Sequence, residues 1–147
     1  FVGADEKRRW WCEWLAARIS KYNWRLFRMA KILIADDAEF LRVRITKMIS
    51  GDGFEVFQAE NGRIAVDTYK EIHPDVVLMD IELPLLSGVE VTRRAREAGL
   101  KIPVIALSAH ATEDYMQVAN EAGCDLYLTK PIDRQELLRA ILECVSK

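Results

Sequence analysis

The 147-residue sequence predicts an α/β fold: an open parallel sheet of five strands with helices on both faces. Three observations carry this expectation. Short apolar runs recur five times, apolar residues at helical spacing follow each run, and most runs close on a polar or charged residue. Strands that alternate with helices are joined by right-handed crossovers, which cover both faces and gather the strand ends at one edge. A functional site is expected beyond that edge.

Taken in order, Phe1 to Arg28 differs from everything after it. All four tryptophans (Trp10, Trp11, Trp14, Trp24) lie here. Trp11, Leu15, Ile19, Tyr22 and Leu26 share one sector of a helical wheel beside a strip of Arg18, Lys21, Arg25 and Arg28, so the pattern fits an extra N-terminal amphipathic helix. Such a helix suits a partner, an anionic membrane surface, a nucleic acid as the weakest option, or its own domain; Met29-Ala30, just before a strong strand, also has the look of a natural start. Residues 1–28 hold seven Lys/Arg against three Asp/Glu, and residues 29–147 hold fourteen against twenty. A basic extension is thus joined to an acidic body, with a boundary at 28/29.

From Lys31 the rhythm is regular. Ile32 to Ala35 reads as a buried strand ending in Asp36-Asp37, and Leu41, Ile45, Met48 and Ile49 continue as a helix that Gly51 and Gly53 stop. Phe54 to Ala59 is the second strand, and Asn61-Gly62 opens a helix carrying Ile64, Ala65, Tyr69 and Ile72. Val76 to Asp80, four apolar residues closed by a carboxylate, reads as a strand buried on both faces. The loop from Ile81 to Gly88 leads to a helix around Val89 to Ala98. Pro103 to Leu107 is the fourth strand, ending at Ser108, and Thr112 to Ala122 is a helix closed by Gly123. Leu126 to Leu128 runs into Thr129-Lys130-Pro131, and Asp133 caps a last helix whose inner face carries Leu137, Leu138, Ile141, Leu142 and Val145.

Composition narrows the function classes. Half the residues are hydrophobic and 30% are charged, which suits one soluble domain with a substantial core. No apolar run reaches membrane-spanning length and no signal-peptide core is present, so a cytoplasmic location is expected. Cys12, Cys124 and Cys144 lack metal-binding spacing and read as free thiols. No nucleic-acid-binding motif accompanies the charge.

Asp36 and Asp37 follow the first strand, Asp80 the third, Ser108 the fourth and Lys130 the fifth, so all are expected at one edge. Two carboxylates about 4 Å apart repel by about 4 kcal/mol at an effective dielectric near 20, so three together call for a cation. A hard ion with oxygen ligands, Mg²⁺ above all, suits a cluster without His or Cys. Asp80 then has an oxygen free to attack phosphorus. Lys130, the Ser108 hydroxyl and backbone N–H groups of residues 81–83 would meet the charge on the transferred group. Singly, each residue has a plain reading as a cap, turn residue or surface charge; His73 and His110 read as lone histidines.

Asp36-Asp37, Met79-Asp80-Ile81-Glu82-Leu83-Pro84 with Gly88, Ala106-Leu107-Ser108-Ala109, and Tyr127-Leu128-Thr129-Lys130-Pro131 together resemble the receiver domain of two-component response regulators. The resemblance covers Ala30 to Lys147 and implies a flavodoxin-like sheet of order 2-1-3-4-5. It implies that Asp80 accepts a phosphoryl group from a histidine kinase or a histidine phosphotransfer protein. Asp36, Asp37, Asp80 and the backbone carbonyl of Glu82 would hold Mg²⁺, with Mn²⁺ as a substitute. Ser108 and Tyr127 match the switch pair, Lys130 would reach a phosphoryl oxygen, and a cis Lys130-Pro131 bond is expected. Leu83 and Ser87 depart from the commoner residues, while Glu82 and His110 match positions that tune phosphorylation lifetimes.

Such a protein is a switch and not a turnover enzyme. With no residues past Lys147, output is expected through contact with a downstream protein, either from a single-domain regulator or from a receiver cut from a hybrid kinase; a homodimer is also open to it. The alternatives are a receiver-like docking module independent of phosphorylation and a Mg²⁺-dependent aspartyl phosphohydrolase, for which Glu82 stands at the acid/base position.

Overall fold

The computed structural model describes residues 30–145. The amphipathic helix expected within residues 1–28 lies outside them. Five parallel strands, β1 (Lys31–Ala35), β2 (Glu55–Ala59), β3 (Val76–Asp80), β4 (Val104–Ser108) and β5 (Leu126–Thr129), form one sheet in the order β2-β1-β3-β4-β5. Five helices alternate with them: α1 (Glu39–Ser50), α2 (Gly62–Ile72), α3 (Gly88–Glu97), α4 (Glu113–Ala122) and α5 (Arg134–Val145). This is the expected flavodoxin-like order. The chain reverses its direction of winding between β1 and β3, and the crevice of such a sheet opens beyond those strand ends.

Side-chain alternation divides the core in two. Ile32, Ile34, Val76, Leu78, Ile105 and Leu107 face α1 and α5, where Ile45, Ile49, Leu137 and Ile141 complete a layer of large aliphatic groups. Leu33, Ala35, Val77, Met79 and Ala106 face the other way, against Ala65, Val91 and Ala119 of α2, α3 and α4. The second layer is built from smaller side chains. The three inner strands are buried almost throughout, whereas β2 exposes Glu55 and Gln58 and β5 is half-buried, because each edge strand has a neighbour on one side only.

Caps fix the helix ends. The Asn61 side chain accepts from the Ile64 N–H at 2.9 Å, Ser87 from Glu90 at 3.2 Å, and Asp133 from Glu136 at 3.1 Å. At the end of α4, Gly123 takes φ +104°, a left-handed value that glycine adopts without steric cost.

Gly88 opens α3 directly behind the last residue of β3. A Cβ there would lie 2.1 Å from the Asp80 carbonyl oxygen, a contact no relaxation of a side chain can relieve. Gly88→Ala is therefore expected to displace the 81–88 loop and cost about 1–3 kcal/mol, measurable by urea denaturation. Unchanged stability would show that the loop yields freely.

Candidate functional site: an acidic cluster at the strand ends

Asp36 leaves β1 fully buried, Asp37 beside it is exposed, and Asp80 closes β3 with 4% of its surface exposed. Each buried carboxylate spends one oxygen on its own backbone: Asp36 Oδ1 accepts from the Ala38 N–H at 2.8 Å, and Asp80 Oδ1 from the Glu82 N–H at 2.9 Å. Their Oδ2 atoms are left to the site. Lys130 Nζ, brought in from the end of β5, lies 2.9 Å from Asp36 Oδ2 and 3.2 Å from Asp80 Oδ2. The Lys130-Pro131 bond is cis, as expected.

Oxygens of Asp36, Asp37 and Asp80 lie within 4.8 Å of one another. One ammonium faces three carboxylates. Asp36 Oδ2 is buried with the Lys130 ammonium 2.9 Å away as its close partner, and a carboxylate oxygen has room for a second contact. That spare acceptor capacity and an all-oxygen donor set fit a hard divalent ion. Burial raises the Asp80 carboxyl above its ordinary range, and the charge of Asp36 adds to this; the Glu82 N–H and Lys130 oppose it. Burial works against the Lys130 charge, yet the contacts with Asp36 and Asp80 hold its pKa above the ordinary value.

The rim is joined by contacts that the sequence did not reveal. Ser108, buried at the end of β4, accepts from the His110 N–H at 3.0 Å. His110 is not isolated: its Nε2 lies 2.9 Å from Glu82 Oε1, and its ring stacks on Tyr115 with centroids 4.1 Å apart. The Tyr127 ring packs partly buried against the α2–α4 core layer, and its hydroxyl donates to the His110 carbonyl at 2.5 Å. Arg42 is a second residue found only here. Its Nη1 donates to the Asp36 carbonyl at 2.6 Å, and its Nε to Gln58 Oε1 at 3.2 Å, bracing the end of β1. No pattern in the sequence marks Arg42, since the contact depends on how α1 lies across β2.

The sheet order defines a flavodoxin-like domain, and the acidic cluster at its carboxyl edge is a donor set that suits a hard cation. The family model for the response regulator receiver domain matches residues 32–142. The chain is 38% identical over 120 residues to the chemotaxis protein CheY of Halobacterium salinarum, covering 80% of this chain and 99% of that protein. It is 33% identical over 111 residues to sporulation initiation phosphotransferase F of Bacillus subtilis, covering 76% and 90%. Among solved structures, the receiver domain of sensor histidine kinase PA1611 from Pseudomonas aeruginosa superposes with a TM-score of 0.73 at 33% identity, covering 80% of this chain and 98% of that one. That structure has a magnesium ion coordinated in its active-site cleft. The chain belongs to the response regulator receiver domain family. Members of the family are phosphorylation-activated switches of two-component signalling, and this chain is one of them. Among the described residues, no helix is long and apolar enough to cross a membrane.

Proposed function

We propose that Asp80 is the phosphoacceptor and that Asp36, Asp37, Asp80 and the Glu82 carbonyl hold Mg²⁺, with Mn²⁺ able to replace it. When bound, the ion supplies positive charge to the oxygens of the incoming phosphoryl group. The single observation that carries this reading is the meeting of three carboxylates and the Lys130 ammonium at one strand edge. Asp80 Oδ2 forms the new O–P bond as the bond from phosphorus to the donor breaks; Lys130 and the Ser108 hydroxyl then hold peripheral oxygens. The donor is a histidine kinase or a histidine phosphotransfer protein, and the recipient of the signal is a downstream protein.

The transfer is stoichiometric, on Asp80 itself. In a phosphohydrolase Glu82 would serve as general acid/base, but its carboxylate is engaged by His110 at 2.9 Å, which favours a switch. The buried thiol of Cys124 accords with a reducing cytoplasm. Intact-mass measurement with Mg²⁺ and acetyl phosphate tests the assignment. One acid-labile phosphoryl adduct that disappears on chelation is expected, and no adduct at any Mg²⁺ concentration would overturn it.

Tyr127 ties β5 to the loop after β4. Tyr127→Phe removes one hydrogen bond, worth about 1 kcal/mol, while keeping the ring in place. Amide exchange in residues 109–115 is expected to rise by about fivefold, with adduct formation unchanged. Unaltered exchange would mean that the hydroxyl does not restrain the loop.

A further inference from the structure

Behind the acidic cluster, one cationic side chain is held against the end of β1 without touching any carboxylate. Arg42 lies one turn into α1, close to the positive end of the helix, where the aligned peptide dipoles disfavour a cation. The helix itself does not select an arginine there. The guanidinium is spent on two neutral acceptors: Nη1 donates to the Asp36 carbonyl at 2.6 Å and Nε to Gln58 Oε1 at 3.2 Å. Among the described residues Arg42 makes no ion pair, so the neighbouring carboxylates keep their oxygens.

The carbonyl that Arg42 grips belongs to the peptide unit joining Asp36 to Asp37. Asp36 is fixed by other contacts as well: its N–H donates to the Ala59 carbonyl at 3.1 Å, its Oδ1 accepts from the Ala38 N–H at 2.8 Å, and Lys130 stands 2.9 Å from its Oδ2. Asp37 has no such supports. It is exposed, and among the described residues its carboxylate takes no hydrogen bond and no ion pair. The direction in which Asp37 leaves the strand is therefore set by the peptide plane, which turns as one body and which Arg42 holds. Gln58 keeps the guanidinium aimed, for its own Nε2 donates to Thr46 Oγ1 at 3.4 Å, and the Thr46 hydroxyl donates to the Arg42 carbonyl at 2.7 Å.

We infer that Arg42 is a positioning residue for the divalent ion: it orients the Asp36–Asp37 peptide so that the exposed Asp37 carboxylate stays within reach of Asp36 and Asp80, and Gln58 aims it. The inference rests on the reading that these carboxylates hold Mg²⁺. Groups that orient a metal ligand from behind are worth about 10–100-fold in affinity. Geometry and charge pull in opposite directions here. A guanidinium beside the cluster repels an arriving cation, so loss of its charge alone would tighten binding, whereas loss of the brace weakens it.

Mn²⁺ binding, read from the free-ion electron paramagnetic resonance signal and confirmed by displacement with Mg²⁺, measures affinity without any phosphoryl transfer. In the full-length protein, Arg42→Met is expected to weaken Mn²⁺ binding about tenfold. Gln58→Leu, which leaves Arg42 in place but unaimed, is expected to weaken it about threefold. Arg134→Met is the control. That arginine donates to the Met48 carbonyl at 3.1 Å and braces the other end of α1, so its loss is expected to lower stability in urea and leave the Mn²⁺ affinity unchanged. Gln58→Leu alters an exposed side chain and decides the matter if Arg42→Met does not fold; wild-type affinity in it would then overturn the inference. A wild type that binds no Mn²⁺ would remove the metal reading and this inference with it. A wild type that binds Mn²⁺, with equal or tighter binding in Arg42→Met or an equal loss in Arg134→Met, would overturn this inference alone.

Discussion

Asp80→Asn is expected to abolish the acid-labile phosphoryl adduct while making the metal-free protein more stable above the ordinary carboxylate range, because the raised Asp80 pKa shows that burial and Asp36 outweigh Lys130. Both effects have one origin. The Asp80 carboxylate is buried beside Asp36, and burial together with that neighbour raises its pKa, so ionising it costs folding free energy. Between the ordinary value of 3.8 and the raised folded value, the native state holds a proton that the unfolded chain has released. This contribution to stability is therefore present in full below pH 3.8 and is lost as pH rises through the folded pKa. Asparagine keeps the shape and the acceptor for the Glu82 N–H, removes the charge and cannot attack phosphorus. Urea denaturation against pH in chelator, with wild type and variant side by side, checks the sign: the two curves should diverge as pH rises from 4. Persistent labelling of the variant at another residue would sink the phosphoacceptor assignment.

The second large effect is expected from Lys130→Met. Its ammonium is the cation that touches both buried Oδ2 atoms, 2.9 Å from Asp36 and 3.2 Å from Asp80, and removing one partner of a buried pair costs about 3 kcal/mol. The lysine pKa is raised in the folded state, so its stabilising contribution is complete below its ordinary 10.5 and is lost as pH rises through the folded value. Wild type should lose stability in that alkaline window and Lys130→Met should not. Labelling by acetyl phosphate should slow about 100-fold, the usual cost of removing one preorganised donor to a developing oxyanion. A variant that labels at the wild-type rate would show that Lys130 serves the fold alone.

Much of this fold could be read from the chain because its central strands are buried on both faces. Val76 to Met79 need apolar groups at consecutive positions, and a carboxylate closing such a run stands out. The strand ends then place Asp36, Asp37, Asp80, Ser108 and Lys130 together, since parallel topology alone brings them to one edge. Contacts between loops left no such trace. The Glu82–His110 pair depends on how the 109–112 loop turns back over the 81–88 loop, and Arg42 reaches Asp36 through the tilt of α1. Glu55 and Gln58 broke the apolar reading of β2 for a simpler reason: an edge strand has less to bury.

That edge also governs aggregation. An open sheet leaves a row of unpaired amides and carbonyls along its outermost strand, a template on which another chain can add. β2 is only five residues long and places a carboxylate at its first position, while the exposed Gln58 side chain is held by Arg42 and Thr46 of α1. A strand arriving from a neighbouring molecule would meet Glu55 and find few rungs to pair with. Among the described residues, pairing along β2 is thereby disfavoured, and Glu55→Val is expected to open a route to edge-to-edge stacking, read as increased turbidity or thioflavin binding.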